Sequence, residues 1–357
     1  MTRIYVKLKI MDYTNILPLL HNAIEHNATD IHLVVGKPPV FRINGELSTS
    51  DLPLLNIEDI QNLIFNMMTE AQRKIFQESQ DIDLSYIGVK DFNFRVNVHV
   101  EKGRPAANIR ILPTIIPTAE QLGLPAIVTK LARKRKGFII ISGSAGSGKT
   151  TTMNYMVDMI NKERPFKIVM IEDPIEYVHE SKKSLIIQRE VGTNTHSFAS
   201  ALKHALRQDP DVVVVGEIRD AESISMALTT AETGHLVLTT LHAPDTAESI
   251  NRILDIYPPG KQDQIRTQLA ENLIAIIGQT LIPLQGKEGI VLATEVLIPT
   301  MSIRNIIRRG ALLEIRGQMV SGDEGMYTLE QCLGRLVKDG TLTKEYAKEF
   351  TKFPNYI

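Results

Sequence analysis

FIIISGSAGSGKTTT, running from Phe138 to Thr152, decides the fold. Phe138–Ile141 is a short apolar run and reads as a buried strand. Gly143, Ser144, Ala145, Gly146, Ser147, Gly148, Lys149 and Thr150 then fill every fixed position of G-x-x-x-x-G-K-[ST]. Met153, Met156, Val157 and Ile160 follow at helical spacing. Strand, glycine-rich loop and helix are the context a P-loop needs. Its backbone N–H groups and the helix N-terminus point at phosphate oxygens. The lysine of such a loop reaches the β- and γ-phosphates, and the hydroxyl after it binds Mg²⁺. The stretch Gly143–Thr151 is therefore the expected ATP site, with Thr150 as one metal ligand.

The rest of the chain is consistent with two domains at 357 residues, with 43% apolar content to build cores. A net charge of −1 gives no global electrostatic case for nucleic acid or anionic lipid. One cysteine, Cys332, excludes an intramolecular disulfide and a tetracysteine zinc site, and suits a reducing compartment. No apolar run approaches the ~20 residues of a membrane span. The first ten residues, MTRIYVKLKI, lack a signal-peptide core and read as an extension before Met11.

Residues 1–112 read as an α+β domain. A helix is expected over Asn15–His26, with strands at Ile31–Val35 and Val40–Ile43 ahead of an Asn44-Gly45 turn. Helices follow over Ile57–Met68 and Ala71–Phe76. Strands at Asp83–Tyr86, Phe92–Val100 and Ala107–Leu112 close the domain. Arg95 and Arg110 stand in these last strands, where arginines fit a solvated face as readily as a site. The proline-bearing residues 113–118 read as a linker. Arg133-Lys-Arg-Lys136-Gly137 reads as capping chemistry after a short helix.

From residue 119 strands and helices alternate, the pattern of a doubly wound parallel sheet. Val212–Val215 is the expected central strand, buried on both faces. Chemistry collects at strand ends. Glu172-Asp-Pro-Ile-Glu176 follows one strand, Gly216-Glu217-Ile-Arg219 another, and His235 and His242 bracket Leu236–Leu241. Triphosphate hydrolysis needs a held Mg²⁺, an oriented water and cations against the γ-phosphate. Glu217 is placed for the metal or the water. From about residue 261 a helical lobe is expected, opening with one long helix over Gln264–Ile282. Arg304 and Arg308 lie four apart and read as a solvated or docking face.

IEDPIEY (171–177), LRQDPDVVVVGEIRD (206–220), TAETGHLVLTTLHA (230–243) and the P-loop resemble, in order, the Asp box, Walker B, His box and Walker A of the type II/IV secretion ATPase superfamily. ATDIHLVVGKPPVFRING (28–45) and SIRNIIRR (302–309) are similar to elements of PilT-type pilus retraction ATPases, the second close to AIRNLI without matching it fully. The resemblance covers roughly residues 12–350. It implies a small α+β, PAS-like N-terminal domain, a RecA-like ATPase domain and a short helical C-terminal lobe. It further implies a homohexamer using ATP and Mg²⁺, with each nucleotide held between two domains. Carried over residue by residue, it gives Lys149 and Thr150 on phosphate and Mg²⁺ and Glu217 as the Walker B glutamate. Glu176 is then the favoured base, with Glu172 second, His235 and His242 form the His-box pair, and Arg95 and Arg110 are the arginines that reach nucleotide. The implied function is a cytoplasmic motor, peripheral at the inner membrane, that drives type IV pilus retraction and twitching motility through the membrane platform protein. A paralogous pilus ATPase is left open as a further partner. The absence of a further N-terminal domain and of four cysteines favours the retraction branch over the assembly branch. A DNA-uptake pseudopilus ATPase and a non-hydrolysing accessory subunit are the alternatives. A small-molecule kinase would need an arginine-rich lid that the sequence does not signal.

Overall fold

In the computed structural model the chain is described over residues 13–43, 45–89, 92–113, 115–286 and 289–357. The expected extension at residues 1–10, and Asn44 of the expected turn, lie outside the described residues. By its contacts the chain divides into two units. The first takes the described residues up to Ile115 together with Pro174–Val178; the second takes Ile116–Asp173 and His179–Ile357.

The first unit runs α1 (Leu17–Glu25), β1 (Ala28–Val34), β2 (Val40–Ile43), β3 (Glu46–Thr49), α2 (Ile57–Phe65), α3 (Glu70–Ser79), β4 (Asp81–Val89), β5 (Phe92–Glu101) and β6 (Arg104–Pro113). Capping boxes open α2 (Asn56 with Asp59) and α3 (Thr69 with Gln72), which fixes where each helix starts. The six strands form one antiparallel sheet in the order β3-β2-β1-β6-β5-β4. Alternation along β5 sends Phe94, Val96 and Val98 into a core shared with Leu19, Leu20 and Ala23 of α1 and with Ile60, Leu63 and Ile64 of α2.

The second unit begins with α4 (Ala119–Leu122), α5 (Ala126–Ala132), β7 (Gly137–Gly143), α6 (Lys149–Glu163), β8 (Lys167–Glu172) and β9 (Leu185–Glu190). It continues with α7 (Phe198–Ala205), β10 (Val212–Glu217), α8 (Ala221–Glu232), β11 (Leu236–Leu241), α9 (Thr246–Asp255) and α10 (Pro259–Asn272). It ends with β12 (Leu273–Pro283), β13 (Ile290–Leu297), α11 (Met301–Arg309), α12 (Ile315–Val320), α13 (Leu329–Lys338) and α14 (Lys344–Ala347). The sheet order is β13-β12-β7-β11-β10-β8-β9, parallel throughout except for β13. Both faces are covered. Ile140, Val213, Val215 and Val237 join one core with α8, α9 and α10, while Ile139, Ile141, Val212, Val214 and Leu238 join another with α5 and α6. This is why the valine run shows no alternation.

The single long helix expected over Gln264–Ile282 is corrected. The helix ends at Asn272, and Leu273–Pro283 is a strand lying between β13 and β7. Burial on both faces of the sheet favours strand for the β-branched run Ile274–Ile282, although its apolar residues also fit a helical spacing. The helix end is fixed by Arg304. Its guanidinium donates to the carbonyls of Ala270, Glu271 (3.0 Å) and Leu273 (3.1 Å). Arg304 is therefore a helix cap here and not part of a free docking face.

Candidate nucleotide site

Four parallel strands, β7, β8, β10 and β11, end at one edge of the second unit's sheet. The edge therefore gathers the P-loop, Glu172, Glu217 and His242. This is where open parallel sheets bind ligands. Gly143 closes β7 with φ of +152°, and a Cβ there would lie 2.5 Å from the Gln279 carbonyl and 2.3 Å from Ser147 Oγ. Only glycine lets the loop turn this tightly against β12. Gln279 supports the loop from behind, donating from Nε2 to Thr152 Oγ1 at 2.8 Å. Among the described residues Ser147 Oγ, buried in the loop, has no hydrogen-bond partner, so it is available to a bound phosphate.

Lys149 begins α6 and is itself buried. Its Nζ donates to the carbonyls of Gly143 (3.0 Å) and Ser144 (2.7 Å) and lies 3.4 Å from His242 Nδ1. His242 Nε2 lies 3.5 Å from Glu217 Oε1, and Arg219 Nη2 is 2.6 Å from Glu217 Oε2. The neutral imidazole thus accepts at Nδ1 and donates at Nε2. Burial and then the Lys149 ammonium push the His242 ring below its ordinary value, against the pull of Glu217. Burial acts to raise the Glu217 carboxyl, but Arg219 first, then His242 and Lys149, outweigh it and hold the group below the usual carboxylate range. Glu217 is therefore an anion poised beside cations.

A bulge aims this carboxylate. Register between β10 and β11 shifts between Val215 and Glu217, and Thr240 Oγ1 donates to the Gly216 carbonyl at 2.6 Å. At Gly216 a Cβ would meet the β8 backbone, at 3.4 Å from both Glu172 Cα and the Ile171 carbonyl.

Glu172 is 2% exposed and accepts from Gln188 Nε2 at 2.9 Å, which suits an anchor. Asp173 ends the first segment of the second unit, and Glu176 belongs with the first unit, where Arg95 Nη1 lies 4.0 Å from its Oε1. In the second unit the chain resumes at His179, whose ring Nε2 donates to Asn154 Oδ1 at 2.7 Å. Asn154 in turn donates to the Thr150 carbonyl at 2.9 Å. Lys182 binds Asp158 at 2.6 Å, and Asn161 joins the Glu180 carbonyl and the Lys182 amide. A buried polar stripe on α6, Asn154–Asp158–Asn161, thus ties down the segment that follows the Glu176 loop. Sequence reasoning missed this stripe, although polar residues at helical spacing on the buried side of α6 were its signal. It also missed Arg219, Gln188 and Gln279.

Arg95 and Arg110 are cross-strand neighbours on one face of the first unit's sheet. Arg110 Nε is bound to Asp30 at 2.9 Å, and Arg42 lies 3.9 Å from the same carboxylate. The structure brings only one of the two expected histidines to the P-loop. His235 stands just before the first residue of β11, with Nδ1 3.0 Å from both the Thr230 carbonyl and Thr233 Oγ1. A six-residue strand holds its two ends about 20 Å apart, so only His242 joins Lys149.

The donors suit a metal-bound triphosphate. Mg²⁺ takes one or two protein oxygens and leaves its other positions to phosphates and water. One hydroxyl, Thr150, and one carboxylate, Glu217, at the mouth of a P-loop meet that need. Among the described residues no group of three or more His, Cys, Asp or Glu forms a free-standing metal cage.

A P-loop at the carboxyl edge of a parallel sheet, with a strand-end carboxylate and an imidazole beside its lysine, defines a P-loop ATPase. The chain belongs to the type II/IV secretion system protein family, whose pattern it matches over residues 11–316. It is 40% identical to the type IV pilus retraction ATPase PilT of Pseudomonas aeruginosa over 345 residues, covering 96% of this chain and 99% of that protein. It is 41% identical to a twitching motility protein of Neisseria gonorrhoeae over 311 residues, covering 87% and 83%. A crystal structure of the pilus retraction motor PilT with bound ADP superposes with a TM-score of 0.88 at 44% identity, covering 96% of this chain and 98% of that one. No described helix is long and apolar enough to cross a membrane.

Proposed function

We propose that the protein is an ATP-hydrolysing motor of type IV pilus retraction, working as a cytoplasmic homohexamer at the inner membrane. The observation that carries the reading is the Lys149–His242–Glu217 chain of contacts beside the P-loop. It is supported by similarity over nearly the whole chain to a relative named a pilus retraction ATPase, and by similarity to one named a twitching motility protein. Lys149 and the loop amides hold the β- and γ-phosphates, while Thr150 and Glu217 hold Mg²⁺, which neutralises phosphate charge. His242 positions Glu217 and feels the γ-phosphate through Lys149. Glu176, partly exposed, is the base that orients water, with Glu172 the second candidate. Arg95 and Arg110 supply the further cations that phosphoryl transfer requires. The platform protein of the pilus machine is the partner that the ring turns.

Phosphate release from ATP and Mg²⁺ is expected to rise per protomer with protein concentration and then saturate as rings form. Glu217→Gln is expected to keep ATP binding and to lose turnover at least ~100-fold. The gene should restore twitching to Pseudomonas aeruginosa lacking its PilT. Binding without hydrolysis at any concentration makes the chain an accessory subunit and overturns the motor reading. Hydrolysis without restored twitching overturns the retraction assignment.

A further inference from the structure

A cleft of about 490 Å³ opens in the second unit at the end of the sheet opposite the P-loop. It is lined by Lys130 at the end of α5, by Lys134 and Lys136 in the turn before β7, and by Arg304 of α11. Leu131, Ile274 and Ile298 make its apolar side. Among the described residues the one carboxylate on its wall is Glu324, in a turn between α12 and α13. β7 separates the cleft from the P-loop by seven residues, about 23 Å of strand.

The charge here is not ordinary capping chemistry. Arg133, in the same basic run, is spent on Glu163 through a two-pronged pair at 2.8 and 2.7 Å. Among the described residues, Lys130, Lys134 and Lys136 form no ion pair, and neither does Glu324. Arg304 already gives three N–H bonds to the end of α10, so it adds potential more than free donors. Three unneutralised ammonium groups around one concavity repel one another, and a ligand that supplies negative charge relieves that repulsion. The volume fits a small organic molecule, and the apolar side fits a body that is not itself charged.

We propose that this cleft is a second anion site, which takes a phosphate ester carrying an apolar or aromatic body, separately from the nucleotide at the P-loop. The same chemistry is offered by a soluble organophosphate and by a phospholipid headgroup.

The test uses the full chain with ADP and Mg²⁺ filling the P-loop. 1-Anilinonaphthalene-8-sulfonate, an aromatic monoanion, serves as the fluorescent probe, with inorganic pyrophosphate and phosphatidylglycerol vesicles as competitors. One saturable probe site per protomer is expected. Lys130→Ala with Lys134→Ala should weaken it at least 10-fold with unchanged ADP affinity, and the paired Lys→Arg variant should retain it. Displacement by pyrophosphate assigns the soluble source. Displacement by vesicles alone, lost in the alanine pair, assigns the headgroup. Equal probe affinity in the alanine pair overturns the proposal, as does displacement by an acidic peptide but by neither phosphate competitor. Loss of probe binding on ring assembly, followed by light scattering, makes the cleft a subunit contact and also overturns it.

Discussion

His179 is expected to make the second unit acid-sensitive, and the size of the effect follows from its surroundings. The ring is mostly buried, donates from Nε2 to Asn154, and sits near the Lys182 ammonium. Burial, reinforced by Lys182 and opposed by Asp158, brings its pKa down from 6.5 to about 4. An unfolded chain takes up a proton near pH 6.5, whereas the folded one resists until about pH 4. The unfolded state therefore holds more protons across that window. Stability from this group is fully present above pH 6.5 and falls as pH drops towards 4. A shift of that size is worth about 3 kcal/mol in all, of which about 2 to 3 kcal/mol is lost by pH 4.5. His179→Gln keeps a donor towards Asn154 but cannot titrate. Urea unfolding of both proteins at pH 7.5 and 4.5, following the transition that ADP shifts, isolates the term as a difference of differences. Wild type should lose about 2 to 3 kcal/mol more than the variant on acidification. Equal losses would refute a buried neutral His179.

Glu295 is expected to act in the opposite sense. Full burial, with Asp245 and Glu330 adding to it, pushes its carboxyl up to about 7, against the bond from the Thr246 amide. Its contribution to stability is present below pH 4.5 and falls as pH rises through 7, so Glu295→Gln should gain on the order of 3 kcal/mol over wild type between pH 4.5 and 8 in the same urea assay. Gly143→Ala should weaken ADP at least ~10-fold in a fluorescent-nucleotide titration, because a side chain at that φ is strained by about 1 to 3 kcal/mol and meets the Gln279 carbonyl; an unchanged Kd would contradict the cradle geometry. Arg304→Ala leaves three carbonyls without their donor and should cost about 2 to 4 kcal/mol in urea unfolding. Arg304→Lys should recover less than half of that, since one ammonium cannot span the three acceptors; full recovery by lysine would sink the capping role.

The parallel sheet was legible because its signals are local. A filled P-loop motif, a four-valine run and carboxylates placed just after apolar runs each report a strand end. The β12 error shows the limit of periodicity. Ile276 and Ile277 fit a helical spacing from Leu269 and Leu273, yet they belong to a strand buried on both faces, where no alternation marks the turn from helix to strand. What ends the helix is Arg304, a residue far along the chain, and no reading of residues 264–282 alone reveals it. The site shows the same division. Lys149, Glu217 and His242 were readable as residue types at strand ends. Gln279 behind Gly143 was not, because its part is set by pairing across the sheet; Arg219, two residues from Glu217, is a local partner whose type alone gave no sign of its role. His235 and His242 were read at opposite ends of one strand, and the structure places only His242 beside Lys149.

The P-loop strand β7 is flanked by β11 and β12, both made much later in the chain. The bond that braces the loop joins residues 127 apart, Thr152 and Gln279. At ~5 to 20 residues per second, a ribosome takes roughly 6 to 25 s to add that length. For the first two thirds of that interval the glycine-rich loop lacks both neighbouring strands, and for the rest it lacks β12. The braced form of the nucleotide site is therefore complete only once the second half of the chain has emerged. Pairing of the apolar strand Phe138–Ile141 is completed first with β11 and only later with β12, over a large sequence separation. Synthesis, not the nucleotide, sets the earliest moment at which the braced site of this motor can form.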